Sequence, residues 1–408
     1  MSIYKTEKSH KLFKRAKEVI PGGLFGHYKH AIRDKGPVFF SRSKGAHFWD
    51  IDHNEYIDLM CAYGPSILGY NHPEVDEAAK TQYGLGNTVS LASPVMVDLA
   101  TTLVDMVDAA DWALFGKNGG DSTNLAIMIA RFATGKEKIV KVRDGYHGVA
   151  PWMQEKDRPG ILSSDSEHVL NVEWNDLESF EEILIHNPDR IACFISSPYN
   201  HPVFRDNELP KEDYWQKVSA LCKEHGIVLI VDDVRAGFRI NLSGSNVAYG
   251  FTPDLICFGK AIANGYPLSA LVGNNDLKEA AEKVFFTGTQ FFSAPPMAAA
   301  KATLLELKKS DAANKMNDYG KKLNSSLMEV ASQFGYKLIA SGPPSMPYFR
   351  LAEVERKIHF SWIDECVRRG VYMLGYHNHF ISTAHSAEDL VTIIQVAKDA
   401  FTSLRKND

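Results

Sequence analysis

Residues 253–267, PDLICFGKAIANGYP, place a single lysine at the end of what reads as a buried strand. The apolar run from Leu255 to Phe258 is followed by Gly259 and Lys260. A charge at such a position is costly because burial removes its hydration. Lys260 could simply cap the strand and reach water with its long stem, as most lysines after strands do. Whether it is instead buried for a chemical purpose depends on the rest of the chain.

The length and composition of the chain indicate a globular protein with more than one domain. The chain has 408 residues, of which 45% are hydrophobic and 23% charged, an ordinary globular composition. A single core rarely grows to this length, so we expect one large domain and at least one smaller one. A net charge of −5 argues against nucleic acid as a partner. The sequence has no run of about eighteen apolar residues, so we expect no membrane partner either.

The cysteines lie scattered, mostly inside apolar segments and without a CxxC pair: Cys61, Cys193, Cys222, Cys257 and Cys366. This pattern suits free, buried thiols in a reducing compartment. The first residues lack the apolar stretch of a signal peptide. Together these features predict a cytoplasmic protein. The sequence also lacks zinc-ligand spacing, and we expect no metal site.

Short apolar segments alternate with helical patterns through the middle of the chain. The predicted strands include residues 138–142, 191–196, 227–233, 255–259 and 269–273. Such alternation indicates an α/β fold with a largely parallel sheet covered by helices on both faces. The ends of the chain differ, because residues 37–60 alternate like antiparallel strands and the last third mixes helices with strands. We predict an N-terminal segment (1–60) that joins the small domain, a large α/β domain (61–296) and a C-terminal α+β small domain (297–408).

Three predicted strands end in residues that can carry chemistry. Ligands of such sheets bind at the carboxyl ends of the strands, where Gly119-Gly120, Asp232 and Lys260 would converge. The glycines open a helix whose backbone N–H groups can approach an anion, although an ordinary helix start would look the same. A buried Asp232 needs a cationic partner, and a desolvated Lys260 can be the neutral amine that attacks a carbonyl.

An anion cradle, a buried carboxylate and a buried lysine together suit pyridoxal phosphate (PLP). The phosphate would take the helix end, Asp232 would pair with the protonated pyridine nitrogen, and Lys260 would form the Schiff base. The alternative is a structural ion pair between Asp232 and Lys260. That pair needs no cofactor, but it leaves the two glycines unexplained.

The segment DGYHG at 144–148 follows the predicted strand 138–142. Tyr146, an aromatic with a polar tip between glycines, is a candidate for stacking on a pyridine ring. His147 could contact the phenolic oxygen of the cofactor, although a lone histidine is more often a satisfied structural residue.

Collinear segments over nearly the whole chain resemble the class III, fold-type I PLP enzymes, and among them the glutamate-1-semialdehyde aminomutases most closely. These segments are PGG (21–23), KGAHFWDIDHNEYIDL (44–59), GPSILGYNHPEV (64–75), TGKEKIVKVRDGYHG (134–148), VLIVDDVRAGFR (228–239), DLICFGKAIANGYPLSALVG (254–273), FTGTQFFSAPPMAAA (286–300) and GVYMLGYHNHFISTAHS (370–386). The resemblance implies a mostly parallel sheet of the seven-stranded type in the large domain.

The resemblance also implies roles for individual residues. Lys260 would be the Schiff-base lysine, Asp232 the pyridinium partner and Tyr146 the stacking ring. Asn118, Gly119 and Gly120 would hold the phosphate. Thr289, in the family's Gly-Thr pair, would reach the phosphate of the neighbouring subunit, which implies a homodimer with shared active sites.

The chain departs from the family's pattern mainly on the substrate side. The family's Asn-Ser-Gly-Thr-Glu-Ala is replaced by residues 117–122, KNGGDS, so more of the phosphate contact would fall to backbone N–H groups. The substrate-carboxylate arginine of the aminomutases aligns roughly with Lys29, and an acidic residue is replaced around His377. These two positions are candidate substrate contacts. Whether Arg42 or Arg235 also contacts substrate stays open.

The resemblance therefore implies a PLP-dependent aminotransferase. It would move an amino group from an amino-acid donor to an aldehyde or keto acceptor through Lys260. One alternative is an aminomutase of the glutamate-semialdehyde type, in which both half-reactions occur on one molecule. A second is a non-catalytic or dehydratase-like member that reuses the fold, but such dehydratases usually lack the lysine found here.

Overall fold

The computed structural model describes residues 3–31, 36–156 and 158–405. The helices are α1 (Glu7–Val19), α2 (Tyr28–Ala31), α3 (Pro73–Leu85), α4 (Pro94–Met106), α5 (Gly119–Thr134), α6 (Leu177–His186), α7 (Tyr214–Glu224), α8 (Ser245–Tyr249), α9 (Lys278–Lys283), α10 (Ala294–Lys309), α11 (Ala312–Gln333), α12 (Arg356–Val367) and α13 (Ala387–Arg405). The strands are β1 (Phe40–Lys44), β2 (His47–Asp50), β3 (Glu55–Asp58), β4 (Trp112–Gly116), β5 (Lys138–Val142), β6 (Val169–Val172), β7 (Ile191–Ser196), β8 (Val228–Asp232), β9 (Leu255–Phe258), β10 (Ser269–Gly273), β11 (Lys337–Ser341), β12 (Tyr348–Ala352) and β13 (Val371–Tyr372). Among these residues no helix combines the length and the apolar character that crossing a membrane requires.

The chain divides into two compact units. The first consists of Met1–His72, Val203–Asn207 and Asn314–Asp408, and the second of Pro73–Pro202 and Glu208–Ala313. The domain division predicted from the sequence stays a prediction, but its boundary after residue 296 falls inside α10. Two prolines stand in the first turn of α10, where proline is tolerated because its missing N–H would have no helical partner.

The second unit contains a seven-stranded sheet in the order β4-β10-β9-β8-β7-β5-β6. The strands from β6 to β9 run parallel, whereas β10 is antiparallel to both β9 and β4. Residues of β8 alternate between two cores: Ile230 packs with residues of α5 on one face, and Leu229 with residues of α7 on the other. The sheet is therefore mostly parallel and covered by helices on both faces, as the sequence predicts.

The first unit is a separate α+β structure. Its four-stranded sheet has the order β1-β2-β3-β13, and β11 pairs with β12 in a two-stranded sheet. Strand β13 comes from the C-terminal part of the chain and pairs parallel with β3 near the N-terminus. The two ends of the chain thus share one sheet.

Candidate active site

The carboxyl ends of β4, β8 and β9 lie at one edge of the large sheet. Strand β10 pairs through Ser269 with Gly116 at the end of β4, and through Ala270 with Phe258 at the end of β9. Asp232, the last residue of β8, is in register with Cys257 of β9. The residues that follow these strands are thereby brought together.

Close packing at this edge leaves little room for a Cβ atom at two glycine positions. A Cβ on Gly119 would lie 2.6 Å from Cγ1 of Val234, and one on Gly259 would lie 3.1 Å from the same atom. A Cβ on Gly259 would also lie 3.5 Å from Cα of Gly119. The start of α5 therefore rests against the ends of β8 and β9, with the side chain of Val234 between them.

Helix α5 begins at Gly119 with Asn118 as its N-cap residue. The carboxylate oxygen Oδ2 of Asp121 accepts the backbone N–H groups of Lys117 at 2.8 Å and of Asn118 at 2.7 Å. The N–H groups of Gly119 and Gly120 belong to the first turn, where intrahelical acceptors are missing and the helix dipole is positive. This end of α5 can receive an anion through its backbone.

The loop at 144–148 is held against the same helix. Oγ1 of Thr123 donates to the carbonyl oxygen of His147 at 2.5 Å. Gly148 has φ +122°, and a Cβ there would lie 2.8 Å from Cα of Gly120. Only glycine at position 148 allows both this backbone conformation and this approach.

His147 and Asp232 form a buried pair. Nδ1 of His147 lies 2.7 Å from Oδ2 of Asp232, and the two residues are 2% and 5% exposed. The other carboxylate oxygen, Oδ1, accepts the N–H of Val234 at 3.1 Å. Nε2 of His147 is buried without a hydrogen-bond partner among the described residues. A neutral imidazole that donates from Nδ1 to the carboxylate leaves Nε2 as an acceptor.

Lys260 follows β9 in a strained conformation and a desolvating environment. Its φ is +43°, in the left-handed region that a long side chain adopts at a cost. Burial and, to a smaller extent, the nearby positive charge of Arg235 lower the pKa of Lys260 to about 8, while Asp232 acts in the opposite direction. The neutral amine is therefore available close to neutral pH.

Two residues that the sequence did not assign to the site interact electrostatically with each other, and one of them, Arg235, also interacts with Asp232. Burial lowers the pKa of the Arg235 guanidinium, and the neighbouring Tyr199, Asp232 and Tyr146 oppose this shift. Tyr199 follows β7 and is fully buried, which raises its pKa to about 12. Its position after a buried strand is the signal that could have identified it.

These residues fit PLP. The glycines leave room beside a positive helix end, where a phosphate can bind. The buried Asp232 carboxylate can hold a protonated ring nitrogen, the Nε2 acceptor of His147 lacks a partner among the described residues, and Lys260 supplies an amine. Tyr146 is 52% exposed on the adjoining loop, so its ring can cover a flat ligand.

The family model for aminotransferase class III matches residues 29–388. The chain belongs to this family. The aminopentol aminotransferase of Sphingopyxis macrogoltabida is 39% identical over 398 residues, covering 97% of this chain and 94% of that protein. The 3-aminobutyryl-CoA aminotransferase of Cloacimonas acidaminovorans (strain Evry) is 34% identical over 410 residues, covering 98% of each.

Solved structures agree with this assignment. The PLP internal aldimine form of the FumI protein of Sphingopyxis sp. MTA144 has a TM-score of 0.96 and 39% identity, covering 98% of this chain and 97% of that one. A glutamate-1-semialdehyde aminomutase of Pseudomonas aeruginosa PAO1 has a TM-score of 0.86 at 20% identity, covering 98% and 95%, a likeness in fold. The predicted fold type, cofactor and aminotransferase activity are confirmed, and the transaminase interpretation holds over the aminomutase alternative.

The remaining predicted site residues of this PLP-dependent aminotransferase lie in different places. Lys29 is an exposed residue of α2 in the first unit. His377, in the same unit, donates from Nδ1 to the carbonyl oxygen of Asn378 at 2.7 Å, and its ring meets that of Tyr63 edge-on at 5.4 Å. Thr289 is exposed in the second unit. The roles of these residues stay predictions.

Proposed function

We propose that this aminotransferase binds PLP covalently through Lys260 and holds the pyridine nitrogen with Asp232. The observation that carries the proposal is the environment of Lys260, an amine with a pKa lowered to about 8 at the sheet edge where Asp232 also ends its strand. If Lys260 only capped the strand, its amino group would reach water and its pKa would keep its ordinary value.

The residues of the site would divide the work. Bound PLP makes the carbon next to the substrate nitrogen acidic. Once its covalent bond to PLP is broken, Lys260 would accept that proton as the general base and return it as the general acid. Asp232 would keep the ring nitrogen protonated, while His147 positions its carboxylate through the 2.7 Å contact. Tyr146 would cover one face of the ring.

The phosphate would be held at the start of α5. Asn118, Gly119 and Gly120 supply backbone N–H groups at a positive helix end. The exposed hydroxyl of Thr289 would complete the phosphate site of a neighbouring copy, so each active site would require a homodimer.

An apolar patch in the second unit supports this dimer. Large apolar side chains are exposed in two segments: Tyr83, Leu85, Val89, Leu91 and Val97 in the first, and Phe285 and Phe292 in the second. Hydrogen bonds join these segments, from Thr88 Oγ1 to Gln290 Oε1 at 3.2 Å and from Ser293 Oγ to Asn87 Oδ1 at 2.6 Å. A patch of this kind marks a protein interface, and Thr289 lies next to Gln290 within it.

Light scattering on the purified holoenzyme tests the dimer. Wild type is expected at twice the mass of the chain, and Leu91→Glu at a lower mass, because a charge in the patch opposes association. Thr289→Ala should keep the dimer and bind PLP more weakly. A wild-type monomer with full activity would refute shared active sites.

We further propose that one substrate carries its amino group on a carbon that bears no free carboxylate, unlike an α-amino acid. The two relatives are named for an aminopentol and a 3-aminobutyryl-CoA, and the resemblance aligns the carboxylate-binding arginine of the aminomutases roughly with Lys29. The other substrate would be an aldehyde or a keto acid, with Lys29 and His377 as candidate contacts.

A half-reaction panel tests the substrate class. The holoenzyme is mixed with amino alcohols, β-amino acids and α-amino acids, and conversion of the cofactor to its amine form is followed by absorbance. We expect conversion with the first two classes and release of one carbonyl product per site. Conversion by α-amino acids alone would refute the proposed class.

The five cysteines support a cytoplasmic location. All are free and buried, as in proteins kept in a reducing compartment. Fractionation of the native host tests this location.

A further inference from the structure

Strand β3 is followed by a turn with an unusual backbone. Cys61, Ala62 and Tyr63 have φ values of +44°, +55° and +66°, which residues other than glycine adopt at a cost. It is the only run of three successive non-glycine residues with positive φ in the part of the chain that the structure describes. Glycine would adopt this conformation without strain, so the side chains that the turn keeps need an explanation.

The buried carboxylate of Asp58 holds this turn. Its oxygen Oδ1 accepts the N–H of Met60 at 2.7 Å, and Oδ2 accepts the hydroxyl of Tyr70 at 2.5 Å. The backbone N–H groups of Cys61 and Ala62 also form hydrogen bonds that favour its charged form. A strained backbone persists where its surroundings over-determine it in this way.

The turn is joined to residues 376–380, which belong to the same unit. The N–H of Phe380 donates to the carbonyl oxygen of Leu59 at 2.8 Å, and Sγ of Cys61 donates to the carbonyl oxygen of Phe380 at 3.3 Å. A Cβ on Gly64 would lie 2.9 Å from Cε1 of Phe380. The end of the turn therefore packs closely on the same ring.

Tyr63 contacts the candidate substrate residue from this turn. Its ring meets that of His377 edge-on at 5.4 Å, and its hydroxyl lies 3.4 Å from that of Tyr376. The ring of His27 also lies 4.4 Å from the Tyr63 ring. The side chains at positions 61 and 63, which glycine would lack, are thus the ones that contact residues 376–380.

We infer that Tyr63 is a positioning residue that holds the imidazole of His377 in the orientation for substrate contact. The strained turn fixes the backbone of Tyr63, and Tyr63 fixes the neighbouring ring through an edge-on aromatic contact. This role depends on the proposed role of His377 as a substrate contact. Loss of the Tyr63 ring should therefore weaken amine binding more than it slows the chemical step, and only through His377.

Half-reactions of the PLP-saturated enzyme with β-aminobutyrate and with alaninol separate the half-saturating amine concentration from the maximal rate. The main variants are Tyr63→Leu, His377→Ala and their combination, with Tyr63→Phe as the conservative replacement. Tyr70→Phe removes the hydroxyl that holds Asp58 and leaves the Tyr63 side chain intact. Tyr336→Leu is the matched control, because Tyr336 is also a half-buried ring of the first unit but stacks on a residue of α13. Crystal structures of the folded variants show the His377 ring directly.

We expect Tyr63→Leu to raise the half-saturating concentration about tenfold with the maximal rate within about threefold of wild type, and Tyr70→Phe to act in the same direction but less. Tyr63→Phe and Tyr336→Leu should behave like wild type. The combined variant should be no worse than His377→Ala, because both substitutions act on one contact. In the crystal structure of Tyr63→Leu the His377 ring should turn away from its wild-type orientation.

An unmoved His377 ring in folded Tyr63→Leu would overturn the inference, as would additive effects of the two substitutions or an equal effect of Tyr336→Leu. If His377→Ala raises the half-saturating concentration and neither Tyr63→Leu nor Tyr70→Phe does, the substrate role of His377 stands and the role of Tyr63 is refuted. If His377→Ala has no effect, the proposed substrate contact is refuted, and the positioning role with it. If neither amine converts the wild-type cofactor, the proposed substrate class is refuted, and the crystal structures alone decide the role of Tyr63.

Discussion

His147 holds Asp232 in place from a distance of 85 residues along the chain, with Nδ1 at 2.7 Å from Oδ2. The carboxylate is fixed at its other oxygen by the N–H of Val234. A carboxylate oriented from both sides, in a buried site, is suited to stabilise one particular cation, which we assign to the protonated ring of PLP.

Replacement of Asp232 by asparagine should therefore abolish most of the activity. Loss of the charged partner removes roughly 4 kcal/mol of transition-state stabilisation, which lowers kcat about a thousandfold. The matched control is Asp233→Asn, because Asp233 is also buried but binds the N–H of Ser245 instead. Steady-state kinetics at saturating PLP measure kcat of both variants. An equal decrease of kcat in the two would show that Asp232 is not the specific partner of the ring nitrogen.

Lys260 should be essential, and a second buried lysine should not be. Nζ of Lys117 is buried without a hydrogen-bond partner among the described residues, and burial lowers its pKa to about 8 as well. Lys260→Ala should lose about a thousandfold or more in turnover yet still bind PLP noncovalently, since only the proton-transferring amine is gone. Lys117→Ala should retain turnover within about tenfold. The reverse pattern would mean that the wrong lysine has been assigned.

The pH dependence of cofactor attachment should report the Lys260 amine. Only the neutral amine attacks PLP, so the attachment rate of the apoenzyme should rise with pH and level off above about 8. Because the positive charge of Arg235 contributes to the lowered pKa, Arg235→Gln should move the midpoint to higher pH. Arg143→Gln, which removes an exposed guanidinium paired with Glu173, should leave it unchanged. Stopped-flow absorbance provides the rates. The same midpoint pH in wild type and Arg235→Gln would contradict this electrostatic account.

The lowered pKa of Lys260 also determines how its contribution to the free energy of unfolding changes with pH. The unfolded chain keeps the Lys260 proton up to about pH 10.5, whereas the folded apoenzyme releases it near pH 8. Between these values the unfolded state binds more protons, so the contribution of Lys260 to the free energy of unfolding rises with pH. Urea titrations of apoenzyme should show this rise in wild type and lose it in Lys260→Ala. A contribution that falls with pH would contradict the lowered pKa.

Replacing Gly119 by alanine should weaken PLP binding more than replacing Gly120 by alanine. A Cβ at 119 would lie 2.6 Å from Val234, whereas a Cβ at 120 would lie 3.5 Å from Cα of Gly148, an ordinary contact. Gly119→Ala should therefore shift the start of α5 and weaken PLP binding about tenfold, the usual cost of overpacking. Gly120→Ala serves as the control and should bind PLP nearly as wild type does. Fluorescence titration of apoenzyme measures both, and equal affinities would show that the close packing does not position the phosphate site.

The central strands were predictable because they are buried on both faces and read as continuous apolar runs. The predicted segments 138–142, 191–196 and 269–273 coincide with β5, β7 and β10. Strand β6 was not predicted, because this edge strand is only four residues long and mostly half-buried. A short edge strand has neither a long apolar run nor a clear alternation.

Contacts between distant segments could not be predicted. The sequence suggested that His147 might touch the cofactor, but the Asp232 contact depends on how the loop at 144–148 packs on α5. The return of residues 203–207 to the first unit carries no local signal either. There, Asp206 and Arg350 meet across 144 residues.

Mass spectrometric mapping of the cofactor attachment point tests the central claim most directly. The holoenzyme is reduced with borohydride, which makes the bond between PLP and its lysine permanent, and the digested peptides are sequenced. We predict a single modified peptide, with the cofactor mass on Lys260. Modification of Lys117 or of any other lysine, with Lys260 unmodified, would contradict the account.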